Sequence, residues 1–89
     1  MKLKKGFTLR QIVGENVLVA EGVENVDFDK MIVLNSTAKF LWESLQGKDF
    51  TVDDAVKLLT DEYDVTAEKA REDVEKLFTQ FKEAGILMD

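Results

Sequence analysis

The hydrophobic period of this chain changes near Asn35, and that change constrains its fold more than any other feature. Before Asn35, apolar residues alternate with polar ones or gather in short β-branched runs; after it, they recur every three or four residues. A period of two places successive side chains on opposite faces of a strand, whereas a period near 3.6 gathers them on one helical stripe. The first third is therefore expected to be strands and the remainder helices.

Phe7, Leu9 and Gln11 alternate with Thr8, Arg10 and Ile12 through Val13, giving a first strand. Gly14-Glu15-Asn16 reads as a short turn, because glycine tolerates positive φ. Val17 to Ala20 is a second apolar run, and Met31-Ile32-Val33-Leu34 a third. Between them, Glu21 to Lys30 is a polar connection with a short extended piece expected at Val26 to Phe28. The three runs form an antiparallel meander most simply.

Asn35 or Ser36 supplies an N-cap for a first helix, whose apolar face is Ala38, Phe40, Leu41, Trp42 and Leu45. Gly47 is expected to end it. Thr51 with Asp54 three residues on resembles a capping box. Val52, Ala55, Val56, Leu58, Leu59 and Tyr63 form the stripe of that second helix. Asp64-Val65 turns the chain, Thr66 caps a third helix, and Glu68 lies favourably in its first turn. The third stripe is Ala67, Ala70, Val74, Leu77, Phe78, Phe81 and Ala84; Gly85 closes it and Ile86-Leu87 folds back onto the core. The expected class is α+β, a winged helix-turn-helix-like domain with a three-stranded antiparallel sheet preceding three helices around one shared core. At 89 residues a single domain is expected, with Met1 to Lys5 as a flexible tail.

Composition removes several chemistries. The chain has no cysteine and no histidine, so thiol catalysis, disulfides and the commonest general base and metal ligand are absent. Carboxylate clusters at Asp53/Asp54, Asp61/Glu62/Asp64 and Glu72/Asp73 lie at helix ends, where acids are usually solvated. Neither an active site nor a metal or other cofactor is expected. No apolar run approaches the roughly 20 residues of a membrane span. No secretory signal core follows the basic start, so a cytoplasmic location and no membrane partner are expected.

Several segments, in their order, resemble the coenzyme PQQ synthesis protein D (PqqD-like) family. They are Met31 to Trp42, Gly47, Phe50-Thr51-Val52-Asp53-Asp54-Ala55, Leu59 to Val65, and Arg71-Glu72-Asp73-Val74 through Leu77 to Leu87. The resemblance spans roughly residues 7 to 88. It implies a non-catalytic recognition element of ribosomal peptide modification. Such a domain binds the leader of a precursor peptide and presents it to a modifying enzyme, often of the radical S-adenosylmethionine type. The product need not be PQQ. It also implies that the leader adds as a strand beside the third strand and docks against the third helix.

On these grounds the candidate peptide-binding residues are Met31, Ile32, Val33 and Leu34 on the strand, with Arg71, Val74, Phe78 and Lys82 on the helix. The helical four are spaced three, four and four apart and so share one line. Phe78 is expected at the edge of the core, its ring partly open between Arg71 and Lys82. The plainer reading makes Phe78 and Trp42 core, Asn35 a cap, and the two cations solvated. The same edge strand could pair with a second copy of the chain.

Two other functions compete. A DNA-binding winged helix would insert its third helix into the major groove. Yet the net charge is −6, and Asp49 to Glu75 holds ten acids against three bases. That surface repels phosphate, so no nucleic acid partner is expected. A generic protein-interaction module is the remaining alternative.

Overall fold

The computed structural model describes residues 1–20 and 32–88. Its elements are β1 (Lys2–Leu3), β2 (Phe7–Ile12), β3 (Glu15–Ala20), β4 (Ile32–Leu34), α1 (Ser36–Ser44), α2 (Val52–Glu62), α3 (Ala67–Glu83) and β5 (Leu87–Met88). The expected α+β class holds. β2, β3 and β4 form an antiparallel sheet in that spatial order, and three helices follow. Met31 and the extended piece expected at Val26 to Phe28 lie outside the described residues.

The sheet register shows why the first strand alternates. Leu9 lies opposite Leu18, and Leu18 opposite Ile32, so these three share the face turned to the core. Phe7 and Leu34 join them on that face. Arg10 lies opposite Val17, and Val17 opposite Val33, a row on the other face.

The hairpin turn is shorter than expected. Val13 and Gly14 make it, with φ of 49° and 79°, and Glu15 and Asn16 already belong to β3. Two successive positive φ values suit the right-handed twist of a two-residue hairpin. For a valine that conformation costs about 1–2 kcal/mol. Nothing in the packing offsets the cost, because the Val13 side chain is 97% exposed.

The helices start where the sequence signals them. The Asn35 side chain accepts from Ala38 N at 2.8 Å. Thr51 and Asp54 close the capping box in both directions, at 2.9 and 3.2 Å. Thr66 Oγ1 accepts from Lys69 N at 3.2 Å. α3 ends in a Schellman motif: Ile86 N donates to Phe81 O and Gly85 N to Lys82 O, with Gly85 at φ 76°. Phe81 and Ile86, the apolar pair of that motif, are both buried.

The core gathers Leu18 and Leu34 from the sheet, Leu41 and Leu45 from α1, Leu59 from α2, and Val74, Leu77, Phe78 and Phe81 from α3. Ala67, expected in the α3 stripe, is exposed. Trp42 is half-buried beside the core, and its indole N–H is buried without an acceptor among the described residues.

The first residues depart from the expected flexible tail. β1 pairs antiparallel with β5, Leu3 opposite Leu87, and both side chains are in the core. The Met1 ammonium donates to Phe50 O at 2.9 Å, and Phe50 N returns a bond to Met1 O at 2.8 Å. These contacts fasten the loop between α1 and α2 to the closing strand.

Candidate functional site

The sheet order leaves β4 at an edge among the described residues. In an antiparallel pair, alternate residues of an edge strand direct their N–H and C=O groups away from the neighbour. Beside that edge lies a groove of about 660 Å³ between β4 and α3. Val33, Leu34 and Asn35 form one wall and Asp73, Lys76, Leu77 and Gln80 of α3 the other. Ala38 and Leu41 line it from α1, and Gly14, Glu15 and Asn16 line the end nearest the hairpin.

The groove has an apolar floor and polar walls. Leu34, Ala38, Leu41 and Leu77 are buried, so they offer the groove only their edges. Around them stand carboxylate, ammonium and amide groups. Asp73 pairs with Lys69 at 3.3 Å, and Lys76 with Glu72 at 3.3 Å, each one turn back along α3. Exposed i,i+4 pairs of this kind contribute only about 0.3–0.5 kcal/mol, so a ligand can recruit either charge cheaply. The site suits an extended polypeptide: backbone groups along one side, a shallow seat for an apolar side chain, and polar partners for its neighbours.

The structure brings only part of the expected constellation to this groove. Val33 and Leu34 line it, and Ile32 continues the same edge strand. Met31 is outside the described residues. The expected helical line does not line it. Val74 is fully buried and Phe78 is 5% exposed, its ring 5.5 Å from that of Phe50. Phe78 is thus core rather than an open anchor. Arg71 hydrogen-bonds and ion-pairs with Asp53 of α2, an interaction that raises its already high pKa. Lys82 is exposed near the helix end, away from the groove wall.

The groove residues of α3 outside the expected helical line are Asp73, Lys76 and Gln80, with Leu77, which is core as expected and also lines the groove. They are spaced three, one and three, the same helical period as the core stripe but turned from it. A signal was present. Ala70, Val74, Phe78 and Phe81 suffice for the core face, which leaves Leu77 at the margin, with Asp73 four residues before it and Gln80 three after it. Asn35, of the two cap candidates Asn35 and Ser36, caps α1 and also lines the groove.

The family model for Coenzyme PQQ synthesis protein D (PqqD) matches residues 15–87. The chain belongs to the PqqD family. Among curated proteins no sequence matches. Two solved structures resemble this PqqD-family chain. Lasso peptide synthetase B1 complexed with the leader peptide is 25% identical, with a TM-score of 0.68 over 99% of this chain and 96% of that one. TbiB1 in complex with the TbiA(beta) leader peptide has a TM-score of 0.70 over the whole of both chains, at 16% identity, a likeness of fold. The family match begins at Glu15, so it includes β3, β4, all three helices and every groove residue except Gly14.

Proposed function

We propose that this PqqD-family chain is a non-catalytic peptide-binding domain. It captures the leader of a ribosomally made precursor peptide as an added strand on β4. It then presents that peptide to a modifying enzyme, for which a radical S-adenosylmethionine enzyme is one candidate class. The observation that carries the reading is the edge strand Ile32–Leu34 adjoining a groove walled by α3. Family membership and the likeness to a lasso peptide synthetase B1 structure that holds a leader peptide support it.

The division of labour follows from the chemistry. Backbone pairing along β4 supplies sequence-tolerant affinity, and the groove supplies discrimination by side chain. Leu77 and the edges of Leu34, Ala38 and Leu41 seat an apolar side chain, while Asp73, Lys76 and Gln80 face its neighbours. No described helix is long and apolar enough to cross a membrane. Capture of a ribosomal product would take place in the cytoplasm on this reading. A second copy of the chain would compete for the same edge strand, so peptide capture and edge-to-edge pairing exclude each other at β4.

The test titrates the full chain with leader segments of short precursor peptides encoded beside its gene, by calorimetry and by amide hydrogen exchange. Saturable binding with new protection of Ile32 to Leu34 is expected. Binding that leaves those amides unprotected, or no binding to any such leader, overturns the assignment. Co-elution of the chain, the leader and the neighbouring modifying enzyme tests presentation separately.

A further inference from the structure

We infer that Val33 reads the captured peptide from the outer face of the sheet, so the peptide must carry apolar side chains on both faces at adjacent positions. This rests on strand capture at β4 and specifies the class of peptide that β4 accepts. Ile32 and Leu34 turn to the core, and Val33 turns the other way, 57% exposed. Register places Val33 at the end of a row that crosses the sheet, Arg10 opposite Val17 and Val17 opposite Val33. Val17 is buried at 5%, so the row is open at its two ends, a charged one at Arg10 and an apolar one at Val33.

The two edges of the sheet differ on this face. Edge strands of soluble proteins are commonly guarded by charge or polarity. The β2 edge carries Thr8, Arg10 and Ile12 on its outer face, with the charge at its centre, whereas β4 carries no charged residue. An uncharged β-branched residue at the centre of a three-residue edge strand is suited to a cross-strand partner. A strand added beside β4 would set one residue directly opposite Val33, continuing the row. That residue's two neighbours would point into the groove, toward Leu77 and its polar flanks. Recognition thus has two independent points: groove-facing residues read by α3, and one outward residue read by Val33. The outward position favours valine, isoleucine or an aromatic, the side chains that pair best across strands with a β-branched residue.

Display of random nine-residue peptides on phage, selected against the full chain and against Val33→Thr, tests this. Threonine keeps the β-branched shape and removes the apolar surface; circular dichroism melts confirm that both proteins fold. Selected peptides are resynthesised, and methyl NOEs to Val33 fix which residue lies opposite it. The wild type should enrich apolar residues at that position as well as at a groove-facing neighbour. Val33→Thr should relax the outward preference alone and weaken a wild-type-selected peptide about two- to fivefold. Peptides that protect β4 yet show a polar or random outward position, or an unchanged preference in Val33→Thr, overturn the inference and leave strand capture standing. Failure to enrich any peptide that protects β4 amides removes strand capture and the inference together.

Discussion

Two lines of residues run along α3, and they face different worlds. Ala70, Val74, Phe78 and Phe81 point into the core; Asp73, Lys76, Leu77 and Gln80 line the groove. Successive residues on a helix are rotated by about 100°, so the two lines sit side by side, one residue apart in sequence. The core line is closed: Val74 and Phe81 show no exposure, and Phe78 stacks at a tilt on Phe50. The groove line is built of pairs that break easily and of one leucine that serves both sides. A single helix therefore separates stability from recognition by angle, and each line predicts a different response to substitution.

The largest effect belongs to the core line. Phe78→Ala removes a buried aromatic and should cost about 3–5 kcal/mol, read as a fall in the urea midpoint. For a domain of this size that is a large part of its total stability. The folded fraction should bind a selected peptide with unchanged affinity. A variant that keeps its midpoint but loses binding would mean that Phe78 faces the ligand after all.

Leu77 sits where the lines meet, and Leu77→Ala sharpens the contrast by crossing it. Truncating this leucine should cost about 2–3 kcal/mol of stability, the low end for a leucine, because one side of it already borders the groove. It should also weaken the bound peptide by about tenfold, the loss of roughly half an apolar contact. Loss of stability without loss of affinity would place the apolar seat elsewhere on the floor.

What the sequence disclosed follows the same division. Residues whose role is set by local chemistry were legible: the caps at Asn35, Thr51 and Thr66, the glycine at the end of α3, and the alternation of Phe7 and Leu9 with Thr8. Each rests on an interaction within four residues or on a strand's own pleat. Features that need a distant partner were not. β1 and β5 are two residues each, too short to carry any period, and exist only because they pair with one another and with the loop at Phe50. The turn was misplaced because Val13 is a β-branched residue at positive φ, against its own preference. The groove was missed by one helical position. Val74, Phe78 and Lys82 are as regularly spaced as Asp73, Leu77 and Gln80, and only the third dimension decides which line the core takes. Of the strand residues expected to bind peptide, Val33 and Leu34 line the groove, and an apolar run before a helix cap fixes where β4 must end.

The polar members of the groove line should show the reverse of Phe78. In the double variant Lys76→Ala, Gln80→Ala, both positions are exposed, and the ion pair lost among the described residues is that with Glu72, so the midpoint should move by no more than about 0.5 kcal/mol. Peptide affinity should fall several-fold, measured by anisotropy of the same labelled peptide. An affinity unchanged within error would show that the α3 wall contributes shape but no polar contact.

Arg71→Ala gives the smallest effect and closes the comparison. Arg71 was expected on the recognition line, but its guanidinium reaches across to Asp53 and joins α3 to α2. Both partners are well exposed, at 49% and 78%. Solvent and salt screen such a pair, so it contributes little to stability. The raised pKa of Arg71 adds nothing usable below strongly alkaline pH, since the group is already fully charged there. The substitution should therefore lower the urea midpoint slightly, by an amount that shrinks in 1 M salt, where the Debye length is only about 3 Å. It should leave peptide affinity unchanged, because the side chain points to the α2 side of the helix and not to the groove. A loss of binding larger than the loss of stability would put Arg71 back on the recognition surface and would require the α3 wall to extend one turn toward its N-terminus.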